Sequence, residues 1–413
     1  MSGVRPLNSA AGTRPGPAVA AAAGGPRDWV LLACACAVQI ATYGCFFNLT
    51  PLYPAVGRDL GLDSGALGIL VGAGGIVALL SQLPAGSGGD TYGRRPFFAA
   101  GMVCLLVSLV LRWLTYEPLL LLVAQLAAGA ALGMCSLNAF ALAADISAAR
   151  KQGRAIGIVN ASVSVGQVFG YLTAGTVGAV VGWRDLSLLM MIVPAAILVL
   201  VLRVPDLQVR LHTGAARPGP LGILRALSHP RRLAFSALGA LALGAGSGAA
   251  YLLPFALQTR DVGPLLAAAV LVPYVVGSVV AAPFSGDLAA RFGARRVGVT
   301  VMVLGTLTCF ALVWAGNSVA VLALANVILG AAINTTLPVS SMLVVNLKVG
   351  RDAIGPGTAL AGLRVGMSLG PFLGPTLAGA AFARGGPELA WLAMALCMLG
   401  TLVLFAVASR STT

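Results

Sequence analysis

Charge is what this chain has least of. Charged side chains make up 9% of its 413 residues, about a third of what a soluble domain carries. With 58% hydrophobic residues and a mean hydropathy of +0.94, water is excluded as the main solvent and a polytopic membrane protein is implied. The twelve acidic residues (28, 59, 63, 90, 117, 145, 185, 206, 261, 287, 352 and 388) all fall in loops or at helix ends, and both histidines, His212 and His229, lie in one polar stretch. No D-D-x-x-D run, no H-E-x-x-H and no nucleophile-elbow spacing occurs, which argues against a membrane enzyme and leaves a non-transporting sensor or scaffold as a minor alternative. Seven cysteines (34, 36, 45, 104, 135, 309 and 397) sit in apolar segments at no metal-ligand spacing. They read as small packing residues, with no metal or cofactor implied.

The basic residues that do occur are unevenly placed. The net charge is +14, yet apart from Arg58, Arg112, Arg184, Arg260, Arg364 and Arg384 they gather in the tails and in alternate loops. That is the positive-inside pattern and not a nucleic-acid surface. A helix needs about 20 apolar residues to cross the bilayer. By that measure spans are expected near 29–53, 64–86, 97–115, 118–143, 155–180 and 185–203, then near 233–256, 264–286, 297–315, 318–343, 355–380 and 388–408. The expected organisation is a disordered cytoplasmic tail (1–27), a six-helix bundle (28–203), a cytoplasmic linker (204–232), a second six-helix bundle (233–408) and a short tail (409–413). Twelve spans place both ends on one side, and the basic loops make that side cytoplasmic. Many Ala, Gly and Val residues with few Lys suggest a GC-rich bacterial genome, hence the cytoplasmic membrane.

The two halves echo each other at an offset of 200 residues. Val165-Gly166-x-x-x-Gly170 matches Val365-Gly366-x-x-x-Gly370, and Pro54 matches Pro254. Such repeats characterise transporters, whose site between two related bundles opens to either side in turn. After the second span the chain reads Gly86-Ser-Gly-Gly-Asp90-Thr-Tyr-Gly93-Arg94-Arg95, and the second-half copy is Gly286-Asp-Leu-Ala-Ala290-Arg291-Phe-Gly293-Ala-Arg295-Arg296. The first resembles the G-x-x-x-D-[RK]-x-G-[RK]-[RK] signature of the major facilitator superfamily, with Thr91 where a basic residue is usual. The second copy lacks the acid. The basic entry Arg150-Lys-Gln-Gly153-Arg154-Ala-x-Gly157 and the turn Gly182-Trp183-Arg184 are also similar to elements of that superfamily. The resemblance implies an all-α membrane fold of two pseudo-symmetric six-helix bundles. It also implies a conformational latch at Gly86, Asp90, Gly93, Arg94 and Arg95, with Gly286, Arg291 and Gly293 in the second half. The run Gly366, Gly370, Pro371, Gly374 resembles the G-P-x-x-G element of drug:proton antiporters, which those proteins carry in the fifth helix. Here the fifth span has Gly170-Tyr171, so Gly166, Gly170, Gly366, Gly370 and Pro371 are expected to pack helices closely.

Ionisable groups inside a span are costly and are functional candidates. Arg364, ten residues into the eleventh span, is the one near mid-depth, and its repeat partner is Ser164. Arg112 lies close to a span end and is expected to snorkel. Where proton antiporters of this superfamily have R-x-x-x-G in the fourth span, this chain has Gln125-Leu-Ala-Ala-Gly129, which removes a charge and weakens the case for proton coupling. Asp145 is the nearest coupling carboxylate. Gln39 and Tyr43 on the first span, Gln125 and Asn138 on the fourth, Gln167 on the fifth, Tyr274 on the eighth, and Asn326 and Asn334 on the tenth are the other substrate-binding candidates. Together they suggest an apolar cavity with hydrogen-bonding spots, suited to amphipathic organic molecules. The expectation is a monomeric secondary transporter exporting drugs or metabolites by rocking two bundles, with protons as a candidate co-substrate. The alternative is an uptake carrier or facilitator without proton antiport.

Overall fold

A computed structural model describes residues 26–146, 152–204, 230–315, 318–346 and 356–409. Residues 1–25 of the tail expected over 1–27, most of the linker expected over 204–232 and the last four residues lie outside them, and α1 begins within the expected tail. Among the described residues every regular element is a helix. The first half contains α1 (Pro26–Phe47), a 3-10 turn (Thr50–Leu52), α2 (Tyr53–Asp59), α3 (Ser64–Tyr92), α4 (Arg95–Trp113) and α5 (Pro118–Asp145). It continues through α6 (Gln152–Thr173), a π turn (Ala174–Gly178), α7 (Ala179–Val181), α8 (Trp183–Met190) and α9 (Ile192–Arg203). The second half contains α10 (Pro230–Gln258), α11 (Pro264–Phe292), α12 (Ala294–Ala315), α13 (Val319–Asn346) and α14 (Pro356–Ala408). Among the described residues eleven runs are long and apolar enough to cross a membrane, and the last, Gly366–Ala408, is interrupted by non-helical backbone at Gly385 and Gly386. That break makes twelve spans, at the place the sequence separates the eleventh from the twelfth.

Local chemistry sets the helix ends. Asp63 caps α3, its carboxylate accepting from the Ala66 N–H at 2.7 Å, while Pro118 and Pro264 open α5 and α11, where a missing N–H costs nothing. Gly93 and Gly293 stop α3 and α11 with the same φ of +86°, a conformation that only glycine adopts freely. The repeat extends to the turns: Gly61 (φ +62°) is matched at an offset of 200 by Asp261 (φ +58°).

Each bundle is held by helices whose backbones nearly touch. A Cβ on Gly166 would lie 2.8 Å from the Ile40 carbonyl oxygen and one on Gly170 2.5 Å from that of Gly44, which seats α6 on α1. In the second half a Cβ on Gly366 would lie 1.9 Å from the Ser236 carbonyl oxygen and one on Gly370 2.8 Å from the Gly244 nitrogen, which seats α14 on α10. Without a hydrophobic drive between helices in lipid, such close approach is the main source of association.

Candidate functional site

The two halves meet along a seam that starts at the Asp63 end. Gly68, Gly72 and Gly75 of α3 lie against Pro371, Phe372 and Pro375 of α14, with room for no side chain. Ser64 donates to the Gly379 carbonyl at 3.1 Å and accepts, through its own carbonyl, the Tyr251 hydroxyl at 2.6 Å. Around that hydroxyl runs a ladder of rings: Tyr53 to Tyr251 at 5.3 Å, Tyr251 to Phe255 at 5.2 Å and Phe255 to Phe382 at 5.6 Å. Tyr53 belongs to the first half and the other three to the second. Beside them Gly175, in the π turn, packs on Pro264, Leu265 and Ala268 of α11. Further along, Ser368 of α14 reaches Gln82 of α3 at 3.4 Å. Towards the Asp90 end the α3 glycines 86, 88 and 89 touch only first-half residues, and a Cβ on Gly286 or Gly293 would meet nothing. The halves are thus closed at one end.

Tyr251 is 2% exposed, so its hydroxyl bond is made away from water and contributes about 1 kcal/mol. Tyr251→Phe keeps the ring ladder and removes that bond. It is expected to shift the closed population about fivefold toward opening at the Asp63 end, read as longer distances between spin labels placed on the two halves there. An unchanged distance distribution would remove Tyr251 from the seam's energetics.

At the Asp90 end Arg94 is fully buried. Its Nη1 donates to Asn138 Oδ1 at 2.9 Å and its Nη2 pairs with Asp145 Oδ2 at 3.1 Å, while the Asn138 amide donates to the Ala85 and Met134 carbonyls. Arg95 reaches the Leu202 carbonyl. The guanidinium passes directly under Gly89, where a Cβ would lie 2.1 Å from Asn138 Oδ1. The Asp90 side chain lies outside the described residues. In the second half Arg291, Arg295 and Arg296 are exposed. Asn138 and Asp145, expected in the substrate and coupling sets, therefore sit in the Arg94 network that ties α3, α4 and α5.

Arg112 does not snorkel: it is 0% exposed. Its Nη1 donates to the Cys45 carbonyl at 2.9 Å and Asn48 Oδ1 at 3.0 Å, and its Nη2 to Gln125 Oε1 at 2.8 Å. The charge that the fourth span lacks at Gln125 is supplied from α4, whose last turn points the side chain inward.

The remaining candidates divide by half. Tyr43 is half-buried, 3.3 Å from Ser136 Oγ, in a group of rings with Phe46, Phe47 and Tyr171. Gln167 is half-buried on α6, and Gln39 is fully buried with neither amide atom bonded. In the second half Asn334 donates to Ser278 Oγ at 2.7 Å, and Ser278 in turn donates to the Tyr274 carbonyl. Tyr274 and Asn334 are half-buried there. Asn326 is 3% exposed and bonded to the Val270 and Leu322 carbonyls. The Arg364 side chain lies outside the described residues. Sequence reasoning missed Gln82, Ser136, Ser278 and Ser368. Gln82 alone carried the signal used for Gln39, a lone amide within an apolar run. The Gly182-Trp183-Arg184 turn clasps α2, with the Trp183 indole and the Arg184 guanidinium both 2.8 Å from Asp59 Oδ2.

Residues 35–355 and 264–412 match the sequence profile of the Major Facilitator Superfamily. A chloramphenicol resistance protein of Streptomyces lividans is 30% identical over 382 residues, covering 87% of this chain and 91% of that protein. An uncharacterized MFS-type transporter of Mycobacterium tuberculosis is 29% identical over 171 residues, 39% of this chain and 24% of that protein. Among solved structures, a bacterial homolog of the human lysosomal transporter Spinster, inward-facing and unoccupied, superposes with a TM-score of 0.72 at 16% identity over 93% of this chain and 96% of that one. The nucleoside transporter NupG superposes at 0.73 with 14% identity over 94% and 100%.

Proposed function

The chain belongs to the Major Facilitator Superfamily, and we propose that it exports small amphipathic organic molecules by alternating access. It is a multi-pass membrane transporter of a small molecule and not an enzyme. The observation that carries the mechanism is the seam between the halves, bonded from Ser64, Tyr251 and Gly379 at one end and absent among the α3 glycines at the other. The basic loops of the sequence support a cytoplasmic Asp90 end, and on that reading this arrangement is inward-facing. Tyr43, Gln167, Tyr274 and Asn334, half-buried on helices of both halves, then offer hydrogen bonds within aromatic and aliphatic walls, as an amphipathic ligand needs. The Streptomyces relative, named for chloramphenicol resistance, supports the outward direction.

Expression in an efflux-deficient bacterial host tests this. Chloramphenicol or another amphipathic compound of a broad panel is expected to require at least about fourfold more drug for growth inhibition, with lower cell-associated compound. Unchanged tolerance across the panel, or raised accumulation, would sink the export reading. Raised accumulation would favour the uptake reading, which the lack of a mid-span carboxylate supports. Collapse of the effect with an uncoupler would identify protons as the driving ion.

A further inference from the structure

We propose that Arg112 gives this transporter a preference for anions: the cluster around it recognises a small anionic group, either the carboxylate of an amphipathic substrate or an inorganic anion. The inference rests on the transport reading above.

Three observations carry it. Arg112 is 0% exposed and its acceptors, the Cys45 carbonyl and the Asn48 and Gln125 amide oxygens, are all neutral. Of the two ion pairs seen among the described residues, neither includes it. A buried charge without a counter-charge is costly, and among the described residues no carboxylate pairs with Arg112. An anionic ligand would supply that counter-charge.

The unfilled bonds in the cluster point the same way. Arg112 Nε and Asn48 Nδ2 are buried without a partner. Both can only donate, and because Asn48 Oδ1 is committed to the guanidinium, its nitrogen cannot be exchanged for an acceptor. Excess positive charge and excess donors in one place are satisfied together by an anion.

The second half shows that the fold itself does not need this cluster. At an offset of 200, Arg112 is Leu312, 2% exposed, and Asn48 is Gly248. Asn326, one residue beyond the offset from Gln125, bonds backbone carbonyls instead. The fold therefore accepts an apolar side chain at the corresponding place of the second half. In the present arrangement the cluster is shut, and an anion reaches it only when α1, α4 and α5 move apart.

The test uses the full chain in proteoliposomes and a panel of aromatic carboxylic acids, each paired with its uncharged primary amide, with labelled chloride as a separate arm. The wild type is expected to move acids at least about tenfold faster than the matched amides. Arg112→Leu, the residue that the second half already packs, is expected to lose that preference, and Arg112→Lys to keep most of it. Should Arg112→Leu fail to fold, Asn48→Gly removes one donor, leaves the charge, and is expected to weaken the preference severalfold. Arg112-dependent exchange of chloride without movement of the acids would assign the cluster to an inorganic anion. Equal rates for acids and amides, or a preference unchanged in Arg112→Leu, would overturn the inference while leaving the transporter reading intact. If no compound of this panel or of the resistance panel moves, the transport reading itself fails.

Discussion

Arg94→Ala is expected to lower transport about a hundredfold while the chain still inserts and folds. The guanidinium is fully buried and divides its two terminal nitrogens between Asn138 and Asp145. Removing it leaves a mostly buried carboxylate, 11% exposed, facing an amide whose acceptor has lost its donor. Breaking such a pair costs about 3 kcal/mol, enough to depopulate by about a hundredfold any conformer that depends on it. The network ties α3, α4 and α5 at the end where the described α3 glycines meet only first-half residues, so the cost falls on the conformational cycle. Arg94→Lys keeps the charge but cannot reach both partners with one nitrogen, and an intermediate loss is expected. In a double-mutant cycle with Asp145→Asn, initial rates in proteoliposomes should show coupling of about 1–3 kcal/mol. Wild-type rates in Arg94→Ala would end the latch assignment, whatever the melting temperature.

What could be read from the sequence followed from what is local. Twelve apolar runs at membrane length, the halves related by 200 residues and the glycines that allow backbones to touch are all properties of short stretches. The break at Gly385 and Gly386 was legible for the same reason, since a Gly-Gly-Pro turn advertises itself. Arg112 was not. A charged residue near a span end ordinarily reaches for water, and only the meeting of Cys45, Asn48 and Gln125, up to 67 residues away, turns it inward. Asn138 shows the same limit: it reads as a lone amide in a span, and its bond to Arg94, 44 residues earlier, is invisible in the sequence. The seam shows the limit most plainly, because Tyr251 and Ser64 are 187 residues apart and neither is unusual in its own helix. Polar residues in a membrane chain reveal that they need partners, and the sequence does not say which.

Gly129→Ala and Gly330→Ala are each expected to destabilise the protein by about 1–3 kcal/mol, lower its melting temperature by several degrees and abolish most transport. The two are near-counterparts in the repeat, one on α5 and one on α13. A Cβ on Gly129 would lie 2.0 Å from the Gly74 carbonyl oxygen, and one on Gly330 2.0 Å from that of Tyr274. In both cases the obstacle is the backbone of a long helix, α3 or α11, which cannot swing aside as a side chain would, so the helices must separate. Separation removes the packing that holds helices together in lipid, and it acts on the functional groups directly. Gly74 also lies against the Gln125 backbone, whose side chain holds Arg112, and Tyr274 shares α11 with Ser278, the partner of Asn334. Gly157→Ala and Gly286→Ala provide the controls, since a Cβ there meets nothing within 4 Å and alanine favours a helix by up to about 1 kcal/mol over glycine. Those two should melt at or above the wild-type temperature. If Gly129→Ala and Gly330→Ala melt with them, backbone contact at these crossings does not set the spacing of the bundle helices, and the placement of Gln125 and Tyr274 must rest on something other than glycine.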